Sequence, residues 1–168
     1  MIKFPLSPPA CGIGEAGKNE KIVNGRETQK GEFPWHVGIL FQEKYECGGA
    51  VINSQYVLTA AHCVAARSSD SLWIIVREHD WADPDDRITL KLRPDKIVIH
   101  PEYVRKTYEN DIALLRLNQP LPLNGTVKTV PVCLPEPSDP GESLHALFGM
   151  RMMRPAACRL LVAGIRTF

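Results

Sequence analysis

Two residues of complementary chemistry stand at the ends of apolar runs. His62 closes the run Val57-Leu58-Thr59-Ala60-Ala61-His62-Cys63, and Asp111 opens Asp111-Ile112-Ala113-Leu114-Leu115. An imidazole titrates near neutral pH, so one that is held still serves as a general base or acid. A carboxylate accepting from one ring nitrogen fixes the tautomer and stabilises the imidazolium. Taken singly, each residue has a plainer reading. A lone His is a surface or satisfied core residue, and a lone Asp before an apolar run is a turn or cap residue. The elements around them must therefore bring the pair together if it is to act.

Those elements read as short strands. Trp35 to Phe41 is one, and Cys47 to Ile52 and Gln55 to Thr59 flank an Asn53-Ser54 turn. Leu72 to Val76, Ile88 to Leu92 and Lys96 to Ile99 follow, and Asp111 to Leu117 is apolar apart from Arg116. No helical pattern of useful length appears between residues 22 and 120. Short strands between turns predict an all-β fold, an antiparallel barrel or sandwich. Residues 1–21 read as an extended leader, and residues 118–140 as a proline-rich connector over a surface. The tail from Ser143 holds four Arg and no Asp or Glu, with no clear strand pattern.

Composition narrows the partners. The 168 residues carry a net charge of +1 and a pI near 7.7. That balance suggests no charge-driven nucleic-acid or membrane partner. The apolar segment at the start is too short and too proline-rich for a signal peptide. The five Cys residues (Cys11, Cys47, Cys63, Cys133 and Cys158) contain no Cys-x-x-Cys and no zinc-like spacing. A disulfide framework with one Cys left over is expected, which implies an oxidising, secreted setting. Asn124-Gly125-Thr126 is a glycosylation sequon. No metal and no cofactor are expected.

Taken together, these motifs resemble the chymotrypsin/trypsin-like serine endopeptidases. Lys21-Ile22-Val23-Asn24-Gly25 looks like the activation cleavage site, and Pro34-Trp35-His36-Val37 like the first barrel strand. Cys47-Gly48-Gly49 and Leu58-Thr59-Ala60-Ala61-His62-Cys63 look like the catalytic-His region. Asn110-Asp111-Ile112-Ala113-Leu114-Leu115 looks like the catalytic-Asp motif, and Val132-Cys133-Leu134-Pro135 like the connector between barrels. The motifs come in family order over residues 11–135. The resemblance implies the first barrel of a two-barrel fold. It implies that residues 1–21 are an activation peptide, residues 22–135 the N-terminal barrel, and residues 136–168 a connector and divergent tail.

The resemblance also implies roles. His62 would be the general base and then the general acid, with Asp111 accepting from its ring. Cys47 would pair with Cys63, and Cys11 with Cys133. A protease of trypsin-like preference would cut after Lys21 and free the Ile22 ammonium. The substrate would be a protein or peptide. Glu78-His79-Asp80, with Asp83, Asp85 and Asp86, lies where trypsin-like members have a calcium loop, although a solvated acidic turn is the preferred reading.

The family's nucleophile motif, Gly-Asp-Ser-Gly-Gly-Pro, does not occur in the sequence. Ser143, in Asp139-Pro140-Gly141-Glu142-Ser143, lacks the glycines whose backbone N–H groups would form an oxyanion hole. Cys158 to Gly164 resembles the start of the second barrel, so that barrel is expected to be truncated. The expectation is a chain with the base and carboxylate of the triad but no Ser, and hence no activity as it stands. The alternative is a non-catalytic homologue acting as a secreted protein-binding module.

Overall fold

A computed structural model describes residues 11–14, 31–76, 90–123 and 129–134. Seven strands occur in the described residues: β1 (His36–Phe41), β2 (Lys44–Val51), β3 (Tyr56–Thr59), β4 (Leu72–Val76), β5 (Leu90–Leu92), β6 (Pro94–Ile99) and β7 (Ala113–Leu117). A single helical turn, α1 (Ala61–Val64), follows β3. All strand pairs are antiparallel, in the order β5-β4-β1-β2-β3-β7-β6.

The connectivity requires the sheet to curl. β5 and β6 lie at opposite edges of that order, yet only Arg93 separates them in sequence. One residue spans only about 3.5 Å, so the two edges must come round toward each other. Register shifts between Ile39 and Leu40 on β1, and between Pro94 and Lys96 on β6, supply local bends. The result is a curled antiparallel wall: of the barrel and sandwich that the strand pattern allows, it is the barrel that the family resemblance implies. Pro94 is tolerated because it begins an edge strand, where its missing N–H costs no ladder bond.

Alternation along the strands builds two apolar clusters. Val37, Ile39, Val51, Val57, Ile74 and Leu115 belong to the larger one and are fully buried. Ala50, Ile52, Leu58, Ile112, Leu114 and Val132 form the smaller. β7 serves both: Ala113, Leu115 and Leu117 pack in the first, and Leu114 in the second. A strand covered on both faces reads as a continuous apolar run, which is why residues 112–115 show no polar alternation. Arg116 is the exception, and its guanidinium makes a two-point pair with Asp95 on neighbouring β6 at 2.8 Å for each bond.

Strand limits differ modestly from the sequence reading. β2 begins at Lys44 rather than Cys47, because the β1–β2 turn is only two residues long and Phe41 pairs directly with Lys44. β7 begins at Ala113, two residues after Asp111, which leaves the carboxylate in the approach to the strand. The Asn53 turn is as read: its Oδ1 accepts from the N–H groups of Gln55 and Tyr56 at 2.8 and 2.9 Å.

Candidate active site

β3 delivers His62. Its last residues, Val57, Leu58 and Thr59, are buried, and Ala60 and Ala61 are 3 % and 0 % exposed. Such tight packing leaves no room for larger side chains at the two Ala positions. The chain then turns into α1, with Ala60 extended at its N-terminus and making no side-chain cap bond. The Thr59 hydroxyl donates to the Gly48 carbonyl at 2.9 Å, holding the end of β3 against β2.

β2 reaches this point through Gly48-Gly49. A Cβ on Gly49 would lie 2.9 Å from the Leu58 carbonyl oxygen, 2.9 Å from Val57 Cγ1 and 3.1 Å from Val37 Cγ2. Only Gly allows so close an approach of backbone to backbone. Next to it, Cys47 is joined to Cys63 by a disulfide with Cα atoms 6.2 Å apart. That bond ties α1 to β2.

The loop between β6 and β7 delivers Asp111. Asn110 adopts φ 52°, a left-handed conformation that Asn tolerates better than most residues. Its side-chain amide donates to the Glu102 carbonyl at 3.0 Å, fixing the loop across its base. Ile112 then accepts from the His100 N–H at 3.1 Å as the chain enters β7.

Asp111 and His62 meet through two hydrogen bonds. Oδ1 accepts from the His62 backbone N–H at 2.7 Å, and Oδ2 lies 2.6 Å from the ring Nδ1. The Asp111 side chain is 6 % exposed and that of His62 26 %. An ionised carboxylate only accepts, so Nδ1 carries the proton. In the neutral ring the lone pair is then on Nε2. The first N–H groups of a helix have no partner within it, and Asp111 satisfies one of them from across the sheet. Tyr108 completes the setting, edge-on to the His62 ring at 5.7 Å between centroids. It is 54 % exposed, and nothing in the sequence pattern singles it out. A Tyr three residues before an Asp is only visible as a neighbour once the loop is folded.

The second disulfide joins Cys11 to Cys133, with Cα atoms 4.9 Å apart. Gly12 adds a backbone bond, donating to the Pro131 carbonyl at 2.8 Å. Residues 11 and 12 are thus anchored to the segment after β7. Lys21, Ile22, Asn124, the acidic stretch from Glu78 to Asp86, Ser143 and Cys158 lie outside the described residues.

The described residues thus form a curled antiparallel wall that carries a carboxylate-held imidazole just past the end of one strand. A family model described as Trypsin matches residues 22–148, and the chain belongs to the trypsin-like serine protease family. It is 43 % identical over 116 residues to vitamin K-dependent protein C of Rattus norvegicus, covering 68 % of this chain and 24 % of that protein. It is 41 % identical over 132 residues to ovochymase-2 of Mus musculus, covering 76 % of this chain and 20 % of that protein. It is 35 % identical over 134 residues to serine proteinase stubble of Drosophila melanogaster, covering 75 % of this chain and 17 % of that protein. In each case the match spans a quarter or less of the relative's length.

Proposed function

We propose that this chain supplies the first barrel of a trypsin-like serine endopeptidase, with His62 as general base and Asp111 as its orienting acceptor. The observation that carries this reading is the grip of one buried carboxylate on both the backbone N–H and the ring Nδ1 of His62. With Nδ1–H engaged, Nε2 is the atom that takes a nucleophile's proton and later returns it to the leaving amine. The substrate class is protein or peptide. Activation proceeds by cleavage after Lys21, by a protease that cuts on the carboxyl side of a basic residue. Asn124 is a glycan acceptor. Two disulfides within the described residues favour an oxidising, extracellular setting. No helix among the described residues is long and apolar enough to cross a membrane.

The 168-residue chain does not hydrolyse peptide bonds by itself. Acyl transfer needs a nucleophile beside the base and backbone N–H groups for the oxyanion, and no Gly-Asp-Ser-Gly-Gly-Pro stands in the sequence to provide them. The test is direct. The chain is cut after Lys21 and offered chromogenic peptide esters. Background turnover, unchanged by His62→Ala, is the expected result. Reproducible turnover abolished by His62→Ala overturns the proposed inactivity.

A further inference from the structure

The ring of His62 has a second neighbour of chemical interest. Its Nε2 lies 3.5 Å from Cys63 Sγ, and one ligand atom each from Cys47, His62 and Cys63 fall within 4.8 Å of one another. Joined as a disulfide, the two sulfurs are poor metal donors, because the thiolate is the strong ligand. Opened, they become two thiolates beside an imidazole nitrogen. We propose that Cys47 and Cys63, once reduced by a dithiol, form with His62 Nε2 a three-ligand zinc site.

The geometry is close to what zinc requires. Bonds of about 2.3 Å to sulfur and about 2.0–2.1 Å to nitrogen, at a tetrahedral angle, put those two atoms about 3.6 Å apart. The observed Nε2 to Sγ separation of 3.5 Å already matches. Rotation of the half-buried Cys47 side chain brings the second sulfur round, and the Cα separation of 6.2 Å leaves room for a metal between the two residues. Backbone pairing holds both carriers after the bond opens. β2 stays in register between β1 and β3, and α1 follows directly from β3.

The surroundings supply what a bound metal needs beyond its ligands. Zinc-binding His residues donate their other ring N–H to a carboxylate or carbonyl, which fixes the tautomer and raises donor strength. Asp111 already takes Nδ1–H, leaving Nε2 for the metal. His62 is 26 % exposed, so an ion has a path in, and the fourth position is open to water.

The chemistry balances. The dithiol gives two electrons and two protons and closes its own S–S bond. The Cys47–Cys63 bond breaks to give two thiols. Zn2+ then displaces both thiol protons to solvent and takes the Nε2 lone pair, with no change in its own oxidation state. That lone pair is the one the proposed general base uses, so metal binding would silence it. Only this consequence rests on the functional reading above, and the metal site itself does not.

The test uses the full chain carrying Cys11→Ser, Cys133→Ser and Cys158→Ser, so that only the proposed ligands remain as Cys. The protein is titrated with Co2+, then Zn2+, before and after dithiol reduction and removal of the dithiol without oxygen. The expected result is one equivalent of Co2+ after reduction and none before, with sulfur-to-cobalt charge-transfer and tetrahedral ligand-field absorption that Zn2+ displaces. Asp111→Asn should weaken binding about 10–100-fold, the usual effect of losing such a partner. His62→Ala should weaken it further and alter the ligand-field bands. Zn2+ should raise the thermal midpoint of the reduced chain. The same measurements on a chain carrying only Cys158→Ser guard against misfolding of the triple variant. Absence of stoichiometric binding in both reduced proteins overturns the proposal. So does equal affinity in His62→Ala, or binding without a thermal shift, since either marks capture by unfolded thiols.

Discussion

One carboxylate, Asp111, takes two hydrogen bonds from one residue, His62: the backbone N–H at 2.7 Å and the ring Nδ1 at 2.6 Å. The first bond belongs to folding and the second to chemistry. As a helix cap, Asp111 satisfies a donor that α1 cannot satisfy itself. As an acceptor, it sets which ring nitrogen is left with a lone pair. Asp111→Asn therefore has two consequences. Loss of charge-assisted bonds at a buried site should cost about 1.5–3 kcal/mol, read by urea unfolding. In the neutral ring, 15N shifts of His62 should move away from the Nδ1–H tautomer. A variant of unchanged stability with an unchanged tautomer would contradict the described geometry.

Gly48 and Gly49 are adjacent but not equivalent. A Cβ on Gly49 meets a backbone oxygen at 2.9 Å, whereas one on Gly48 first meets His36 Cε1 at 3.2 Å and Tyr45 Oη at 3.4 Å. Side chains can give way and a paired backbone cannot. Gly49→Ala should destabilise by about 1–3 kcal/mol, as overpacking does, and Gly48→Ala by clearly less. Equal midpoints in denaturant for the two variants would refute the distinction.

Much of this was legible in the sequence, for physical reasons. Val57 to Cys63 announces itself because a buried strand must be apolar and Ala60-Ala61 must be small. Asp111 was visible because an acid beside a continuous apolar run is costly unless it is bonded. The fold class followed from the short runs between turns. Two things were not legible. The contact of Tyr108 with His62 depends on how an eleven-residue stretch, residues 100–110, folds back, with Val104 bridging Glu109. The start of β2 is the other, because Lys44, Tyr45 and Glu46 lack the apolar alternation that marks a strand; they pair at an exposed hairpin end.

That hairpin carries a correctable strain. Its two central residues, Gln42 and Glu43, have φ of 50° and 65°. Both positive values call for Asn-Gly, the pair best suited to such a turn. Gln42→Asn with Glu43→Gly should stabilise the chain by roughly 0.5–1 kcal/mol. The exposed Glu43–Lys91 ion pair is lost in the exchange, which offsets little. A lowered thermal midpoint would show that this pair matters more than the turn.

His36 gives the barrel a pH dependence of known sign. Its Nε2 is buried without a hydrogen-bond partner among the described residues. Burial pushes its pKa from 6.5 down to about 4. The folded ring therefore stays neutral where the unfolded ring takes a proton. Between pH 6.5 and 4 the unfolded state binds more protons, so stability falls as the pH falls. The full effect is on the order of 3 kcal/mol. His36→Gln should flatten the stability profile relative to the parent across that window, while carboxylates titrate alike in both. Parallel profiles would mean that His36 is not held neutral.

The Cys11–Cys133 disulfide bears on what activation would release. It joins residues 122 apart, on opposite sides of Lys21. If the chain is cut after Lys21, the leader remains covalently attached, because its one Cys is bonded beyond the barrel. Gly12 adds a backbone bond to Pro131, and a Cβ on Gly12 would lie 2.9 Å from Cys133 Sγ. The anchor is therefore packed as well as bonded. With Gly17, Lys18, Asn19 and Glu20 each replaced by Asp, a protease that requires Asp-Asp-Asp-Asp-Lys cuts after Lys21 alone and should give a product heavier by one water, with no loss of mass under non-reducing conditions. Reduction should then release residues 1–21. Replacing Cys11 with Ser should release the same peptide without reduction. Release from the unreduced parent would mean that the tether does not form in solution, and the leader would then be an ordinary cleaved extension rather than a retained light chain.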